Sequence, residues 1–347
     1  MTLKNGLRTL AVFLLIFFAA AGFAAAGETA PAPEAPPAVR FAREEITEDV
    51  YPAVIDRTRD PLAYDAFRFR LDAKLLDIWF PNIANADEAI LIYDGNVWLI
   101  DCGDQKAGKR GAELIRRLGI SRIGRLFNSH PHHDHILGLQ ETDAAARVEE
   151  LLVCFGEDST DSMVKALKYA FQAGIPVSRF ADGDTFAMGD GQVTLHFLQN
   201  TEPTLDMNNQ SAQTMVAFGK RKILFTGDME ADGQAALVAR VGDTLKADIL
   251  KYPHHGKKAL DAAFRQAVSP LFAVVTNQQV DWEGVAHLTA VGIPFAFTNR
   301  GEQYLHLATD GEHWICEYVQ KESLRGLLIN THTGVSKGCL RGLCFKQ

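Results

Sequence analysis

Residues 130–135 read His-Pro-His-His-Asp-His, so four imidazoles and a carboxylate fall within six positions directly after the apolar run 123–127. Polar side chains at that density do not enter a protein interior unless something pairs them. Imidazole together with carboxylate suits Zn(II) or a similar first-row ion, and such an ion makes hydroxide from water near neutral pH. The competing reading is a solvated, histidine-rich loop that meets metal by accident. Placement argues against it: the chain has 11 histidines, four of them are here, and His254 and His255 stand side by side after a second apolar run. A metal motif of this kind needs a strand feeding a loop, which predicts a strand ending just before His130.

At 347 residues, 47% of them hydrophobic, the chain has material for one large domain or two small ones. Its formal net charge of −8 excludes a dominant basic field, so nucleic acid is not the favoured partner, although a local patch fits inside an acidic average. Lys4 and Arg8 precede an apolar segment, 10–23, that ends at Ala24-Ala25-Ala26-Gly27. This is the layout of a secretory signal, and the segment is shorter than the roughly 20 apolar residues of a spanning helix. The expectation is a signal over residues 1–26 and an exported protein, periplasmic or secreted, with no stable membrane span once the signal is removed.

Residues 27–40 form a Pro/Ala-rich linker, and 41–74 a charged N-terminal extension. From residue 75 the texture changes to short β-rich runs at 75–80, 89–93 and 97–101, the last two joined by the hairpin signal Asp94-Gly95-Asn96. A helical stretch at 108–118 leads into the strand 123–127. Further strands are predicted at 151–154, 193–198, 214–218, 223–225, 249–252 and 271–276, with helices at 161–173 and 261–267. Interleaved hairpins and helices indicate an α+β fold over 75–320, with sheets covered by helices on their outer faces. Residues 321–347 make a Gly-rich tail whose Cys339 and Cys344 are close enough for a local disulfide; Cys102, Cys154 and Cys316 read as buried small hydrophobes.

Two further groups carry chemistry. Thr226-Gly227-Asp228 puts a carboxylate at a strand end, beside a glycine that permits close approach. Tyr252-Pro253-His254-His255-Gly256 again follows an apolar strand. Either group alone reads more simply as a turn.

The order of the four parts resembles the metallo-β-lactamase superfamily: Leu99-Ile100-Asp101-Cys102-Gly103, Ser129 to His135, Leu224-Phe225-Thr226-Gly227-Asp228, then Lys251 to Gly256. The branch most similar contains the hydrolase-like domain of DNA-uptake competence proteins and bacterial phosphorylcholine esterases. Its marks here are Pro-His-His-Gly and the opening 77–92, in which Ala86-Asp87 precedes an apolar strand. The resemblance implies an αββα sandwich of two mixed β-sheets flanked by helices. It implies His130 and His132 as ligands of one metal, Asp134, His135 and His255 as ligands of a second, and Asp228 as the bridge. Asp101 would orient a ligand histidine, His254 would contact substrate or donate a proton, and Asp134 could also take one. The cofactor would be one or two Zn(II) ions, with Mn(II) and Fe(II) as alternatives.

Two departures matter. Most superfamily members carry another histidine about twenty residues before the bridging Asp, where this chain has Asn208, Asn209 and Ser211, as the competence branch tends to. Asn209 is therefore expected beside the first metal's site, which is left with fewer strong ligands. After His255 the branch usually continues Gly-Ser, whereas here Gly256 leads to Lys257 and Lys258. The implied function is an exported hydrolase that directs a metal-bound hydroxide at a phosphodiester or related anionic ester, small molecule or polymer. The alternatives are a β-lactam or lactone hydrolase and a non-catalytic metal-bound module for nucleic acid or cell wall.

Overall fold

The computed structural model describes residues 51–62, 64 and 66–324. The signal, the linker and the Cys339–Cys344 pairing lie outside the described residues, as does the tail beyond residue 324.

Alternation along the strands builds the molecule. In Leu76–Phe80, residues Leu76, Ile78 and Phe80 face one way and Trp79 the other; in Asn96–Cys102, Trp98 and Ile100 oppose Val97 and Leu99. With a side-chain period of two, each strand is apolar on both faces and must be covered twice. The strands assemble into a nine-stranded mixed sheet. Its order is Val54–Asp56, Trp314–Gln320, Gln303–Thr309, Leu76–Phe80, Glu88–Tyr93, Asn96–Cys102, Arg125–Asn128, Leu151–Val153 and Val177–Arg179. A seven-stranded mixed sheet runs Thr185–Met188, Val193–Gln199, Ala212–Phe218, Arg221–Phe225, Ile249–Lys251, Phe272–Val275 and Phe295–Phe297.

The inner faces meet in one core, with Leu76, Ile78, Leu91 and Phe127 from the larger sheet against Phe197, Val216, Phe225 and Phe272 from the smaller. The outer face of the larger sheet is covered by helices Gln105–Arg117, Leu139–Ala145 and Asp161–Ala173 through Leu114, Ile115, Leu139, Met163 and Ala170. Helices Ala231–Val241, Ala262–Val268 and Glu283–Ala290 cover the smaller sheet through Leu237, Phe264 and Leu288. The result is an αββα sandwich. The sheet reaches N-terminal of residue 75: Val54–Asp56 pairs in parallel with Trp314–Gln320, while Ile55, Phe67 and Phe69 pack on Ala308 and Ile315.

This layering places the strand ends that matter side by side. Parallel pairing sets Asn96–Cys102 beside Arg125–Asn128, and Arg221–Phe225 beside Ile249–Lys251. Their C-terminal ends carry Asp101, the 130–135 segment, Asp228 and the His254-His255 pair.

Candidate metal centre

Backbone geometry aims each group inward. Asp101 has φ 57° at the end of its strand, in the left-handed region, and its carboxylate turns toward the loop that follows Asn128. Oδ1 accepts from the Ser129 amide (2.7 Å) and Asn128 Nδ2 (3.1 Å), while Oδ2 accepts from Ser129 Oγ (2.7 Å). His132 leads into the short helix His133–Ile136, in which Asp134 and His135 point inward and His133 faces solvent. Gly227 has φ 52° and lies so close to Ser211 that a Cβ there would stand 2.8 Å from the Ser211 Cβ. His254 and His255 are both left-handed, at φ 48° and 56°. Each such non-glycine residue costs on the order of 1 kcal/mol, and such costs cluster at functional sites.

Asp134, His135, Asp228 and His255 come together, each offering a ligand atom within 4.8 Å of the others, and all four are buried. His135 Nε2 is 3.2 Å from Asp228 Oδ1, and His255 Nε2 is 3.3 Å from Asp134 Oδ2 and 3.5 Å from Asp228 Oδ2. His130 and His132 adjoin this group as a pair, with Nε2 of His130 3.1 Å from Nδ1 of His132 and 4.0 Å from Asp228 Oδ2. His254 Nε2 also approaches Asp228 Oδ2, to 3.5 Å.

Behind this group stand two buried carboxylates. Asp101 Oδ2 accepts from His135 Nδ1 at 2.8 Å, and Asp87 Oδ1 accepts from His255 Nδ1 at 3.1 Å and from Thr276 Oγ1 at 2.7 Å. Each acceptor takes the Nδ1 proton in a hydrogen bond and turns Nε2 toward the centre, the usual arrangement of a metal-bound imidazole. The other oxygen of Asp87 pairs with the buried Lys251 ammonium. Asp87 appears in the sequence only as part of the run before the strand 89–93. Its role is legible from neither spacing nor composition, because its partners Lys251 and His255 are more than 160 positions away.

Asn209 makes different contacts from those expected of it. Its Oδ1 accepts from the amides of Glu230 and Gly233, both at 2.9 Å, so it caps helix Ala231–Val241 and touches none of the ligands. It acts on the centre at one remove, by fixing Glu230, whose Oε1 accepts from His254 Nδ1 at 2.7 Å. Ser211 comes nearer, accepting from the Asp228 amide at 3.3 Å.

Burial alone would raise the Asp228 carboxyl, but His255 and His135 outweigh it and hold the group well below the ordinary carboxylate range. The same contest, won by the His255 hydrogen bond and His135, keeps Asp134 ionised. Burial and then His135 push His130 well below the usual histidine value, so it is neutral and carries a lone pair. Burial also lowers His254. At His135 burial is overcome by Asp228 and Asp101, which raise it. Carboxylates that would hold a proton there hold a divalent cation equally well.

One observation tests the fit of such a cation. His135 Nε2 and Asp228 Oδ1, both buried, have no hydrogen-bond partner, although they face each other inside the four-residue group. Unpaired buried polar atoms are rare and costly, and a shared metal satisfies both. The residues therefore fit a divalent ion.

Residues 88–271 match the sequence model of the metallo-beta-lactamase superfamily, and the match takes in all four motifs. The chain belongs to the metallo-β-lactamase superfamily. Curated relatives include ComE operon protein 3 of Bacillus subtilis (strain 168), 29% identical over 46% of this chain and 20% of its own length. Competence protein ComA of Neisseria gonorrhoeae is 27% identical over 52% of this chain and 24% of its own length. The chain thus spans about a quarter or less of the curated relatives it matches. Among solved structures, the metallo-β-lactamase fold protein YhfI from Bacillus subtilis superposes with a TM-score of 0.44 at 12% identity, over 67% of this chain and 99% of that one. Superfamily membership accords with the αββα sandwich and with a ligand group at the ends of the inner strands.

Proposed function

We propose that this chain is an exported, metal-dependent hydrolase of a phosphodiester or related anionic ester. The observation that carries the reading is the facing pair of unpartnered buried atoms, His135 Nε2 and Asp228 Oδ1, inside a group completed by Asp134 and His255. Asp134, His135, Asp228 and His255 would hold one ion; His130 and His132, with Asp228 between the two sets, would hold a second. Bound Zn(II), or Mn(II) or Fe(II) in its place, supplies Lewis-acid charge and acidifies water.

The chain's own residues do the rest. Asp101 and Asp87 hold His135 and His255 through Nδ1, so both rings present Nε2 to the centre without reorganisation. Glu230 does the same for His254, whose Nε2 is left as an acceptor beside the Asp228 carboxylate, positioned to take a proton from a nucleophile and return it to a leaving group. Removing water from this walled site strengthens each electrostatic contact within it. The apolar segment 10–23 and the small residues after it support export. No helix among the described residues is long and apolar enough to cross a membrane.

The test is elemental analysis of the purified chain together with turnover of bis-(p-nitrophenyl) phosphate and nitrocefin. Bound metal, phosphodiester turnover and loss of both in His135→Ala and Asp228→Ala are expected. Nitrocefin turnover with no phosphodiester cleavage would replace the proposal with carbonyl attack.

A further inference from the structure

We infer that Lys257 is the anion-binding residue of this site and meets a non-bridging oxygen of a phosphoryl group. The inference rests on the proposed hydrolase reading and names the contact that would select anionic over neutral esters.

The placement of Lys257 follows from the backbone before it. Two consecutive left-handed residues, His254 and His255, fold the chain back on itself, and the Lys257 amide donates to the His254 carbonyl at 3.0 Å. The side chain consequently returns over the centre instead of leaving it. Its Nζ donates to His254 Nε2 at 2.9 Å, and that nitrogen is 3.5 Å from Asp228 Oδ2. The ammonium also stands over the Trp282 ring, 5.9 Å from the centroid. An idle surface lysine would extend into water, as the exposed Lys258 does; Lys257 is half-buried and held on two sides.

What it lacks is a counter-charge. Lys251, the other lysine at the centre, is buried and bound to the Asp87 carboxylate. Among the described residues Lys257 pairs with no carboxylate, only with a neutral imidazole and an aromatic face. A neutral nitrogen acceptor holds an ammonium less strongly than an oxyanion does, so a phosphoryl oxygen displaces it with a net gain. Displacement has a second effect, since it frees the His254 lone pair that Lys257 otherwise occupies.

The test is calorimetric titration of the metal-loaded chain with inorganic phosphate, alongside K257S, K257M and K257R, with metal content measured for each. Phosphate should bind the wild type, bind K257S and K257M about tenfold more weakly, equivalent to ~1.4 kcal/mol, and bind K257R within about threefold of wild type. Metal content should be the same in all four. An unchanged phosphate Kd in K257S and K257M overturns the inference, and so does a wild type that binds no phosphate. Loss of metal in step with phosphate affinity also overturns it, because Lys257 would then be supporting His254 rather than meeting an anion. A wild type with Lys257-dependent phosphate binding but no phosphodiester turnover leaves this site standing and removes the hydrolase reading; turnover with Lys257-independent phosphate binding does the reverse.

Discussion

Asp87 and His255, 168 positions apart in sequence, are joined by a 3.1 Å hydrogen bond from the His255 Nδ1 proton to the Asp87 Oδ1. Asp87 therefore orients one histidine of the group as Asp101 orients another, and Lys251 neutralises the charge this requires. Removing the acceptor's charge while keeping its shape should loosen the metal, and it also costs stability because the buried Lys251 loses its counter-charge. Asp87→Asn is expected to lower metal affinity by about 10–100-fold, measured by competition with a chelator of known affinity. Asp87→Ala, which loses the side-chain oxygens as well as the charge, should cost roughly 3–5 kcal/mol of stability and Asp87→Asn less, because each leaves the buried Lys251 without a counter-charge and Asp87→Ala leaves it only the Gly227 carbonyl. Wild-type metal affinity in Asp87→Asn would remove the assigned role.

The group depends on a close backbone approach behind His135. Gly138, three residues on, packs so tightly that a Cβ would lie 1.9 Å from the Cys102 carbonyl oxygen and 3.0 Å from the Gly108 Cα. Neither obstacle is the flexible end of a side chain. Gly138→Ala must displace helix Leu139–Ala145 or the strand end that carries Asp101. It should destabilise the protein by about 1–3 kcal/mol and weaken metal binding together with stability, read from denaturant unfolding and metal content on one sample.

The site's metal-facing half is legible in the sequence because its residues are local or sit in motifs. His130, His132, Asp134 and His135 fall within six positions, and Asp228 and His255 each end an apolar strand. The strands that lead into them are also legible, as short apolar runs that fall at 125–128, 221–225 and 249–251. What escapes is non-local. The exception is the hairpin Gln303–Thr309 with Trp314–Gln320, whose Asp310-Gly311 is a local turn signal; helices Ala231–Val241 and Glu283–Ala290 have weak amphipathic patterns. The run 123–127 divides at Gly124, whose amide donates to Val97, so Arg122–Ile123 pairs elsewhere with Arg147–Val148. Asn209 reads as a neighbour of the metal from its position before Asp228, but an amide oxygen is equally suited to two helix N–H groups, and these are what it meets.

Glu88, next to Asp87, points the other way and is buried with neither carboxyl oxygen hydrogen-bonded. A Cβ on Gly111 would stand 2.1 Å from both oxygens, so the carboxyl fills the notch that glycine leaves in helix Gln105–Arg117. Burial raises its pKa well above the ordinary glutamate value. A carboxyl raised in the folded state contributes fully below the unfolded value near 4.5, and the contribution declines as pH rises toward the folded value. At neutral pH Glu88 is thus a liability. Glu88→Met should raise stability at pH 7 by about 1–3 kcal/mol and by less at pH 4, measured by urea unfolding at both pH values. Equal effects at both would show that packing and not ionisation governs the position.

On the opposite side of the larger sheet from the inner core, His306 is buried and stacked on Trp79, with ring centroids 3.9 Å apart. Nε2 meets Asp77 Oδ1 at 2.8 Å and Nδ1 meets Glu317 Oε1 at 3.2 Å. Burial would lower its pKa, but the hydrogen bonds to Asp77 and Glu317 outweigh this and raise it to about 9, from an ordinary 6.5. The imidazolium is the native species, and both nitrogens donate. Because the folded value exceeds the unfolded one, its stabilisation is complete below pH 6.5 and is lost as pH rises through 9; the full difference amounts to about 3 kcal/mol. The wild type should therefore lose stability from pH 6.5 to 9.5 with a slope that His306→Gln lacks, since a neutral amide releases no proton over that range. Urea unfolding of both proteins across the window checks this: parallel profiles would mean that His306 is neutral in the fold, with Asp77 and Glu317 answered by something other than its charge.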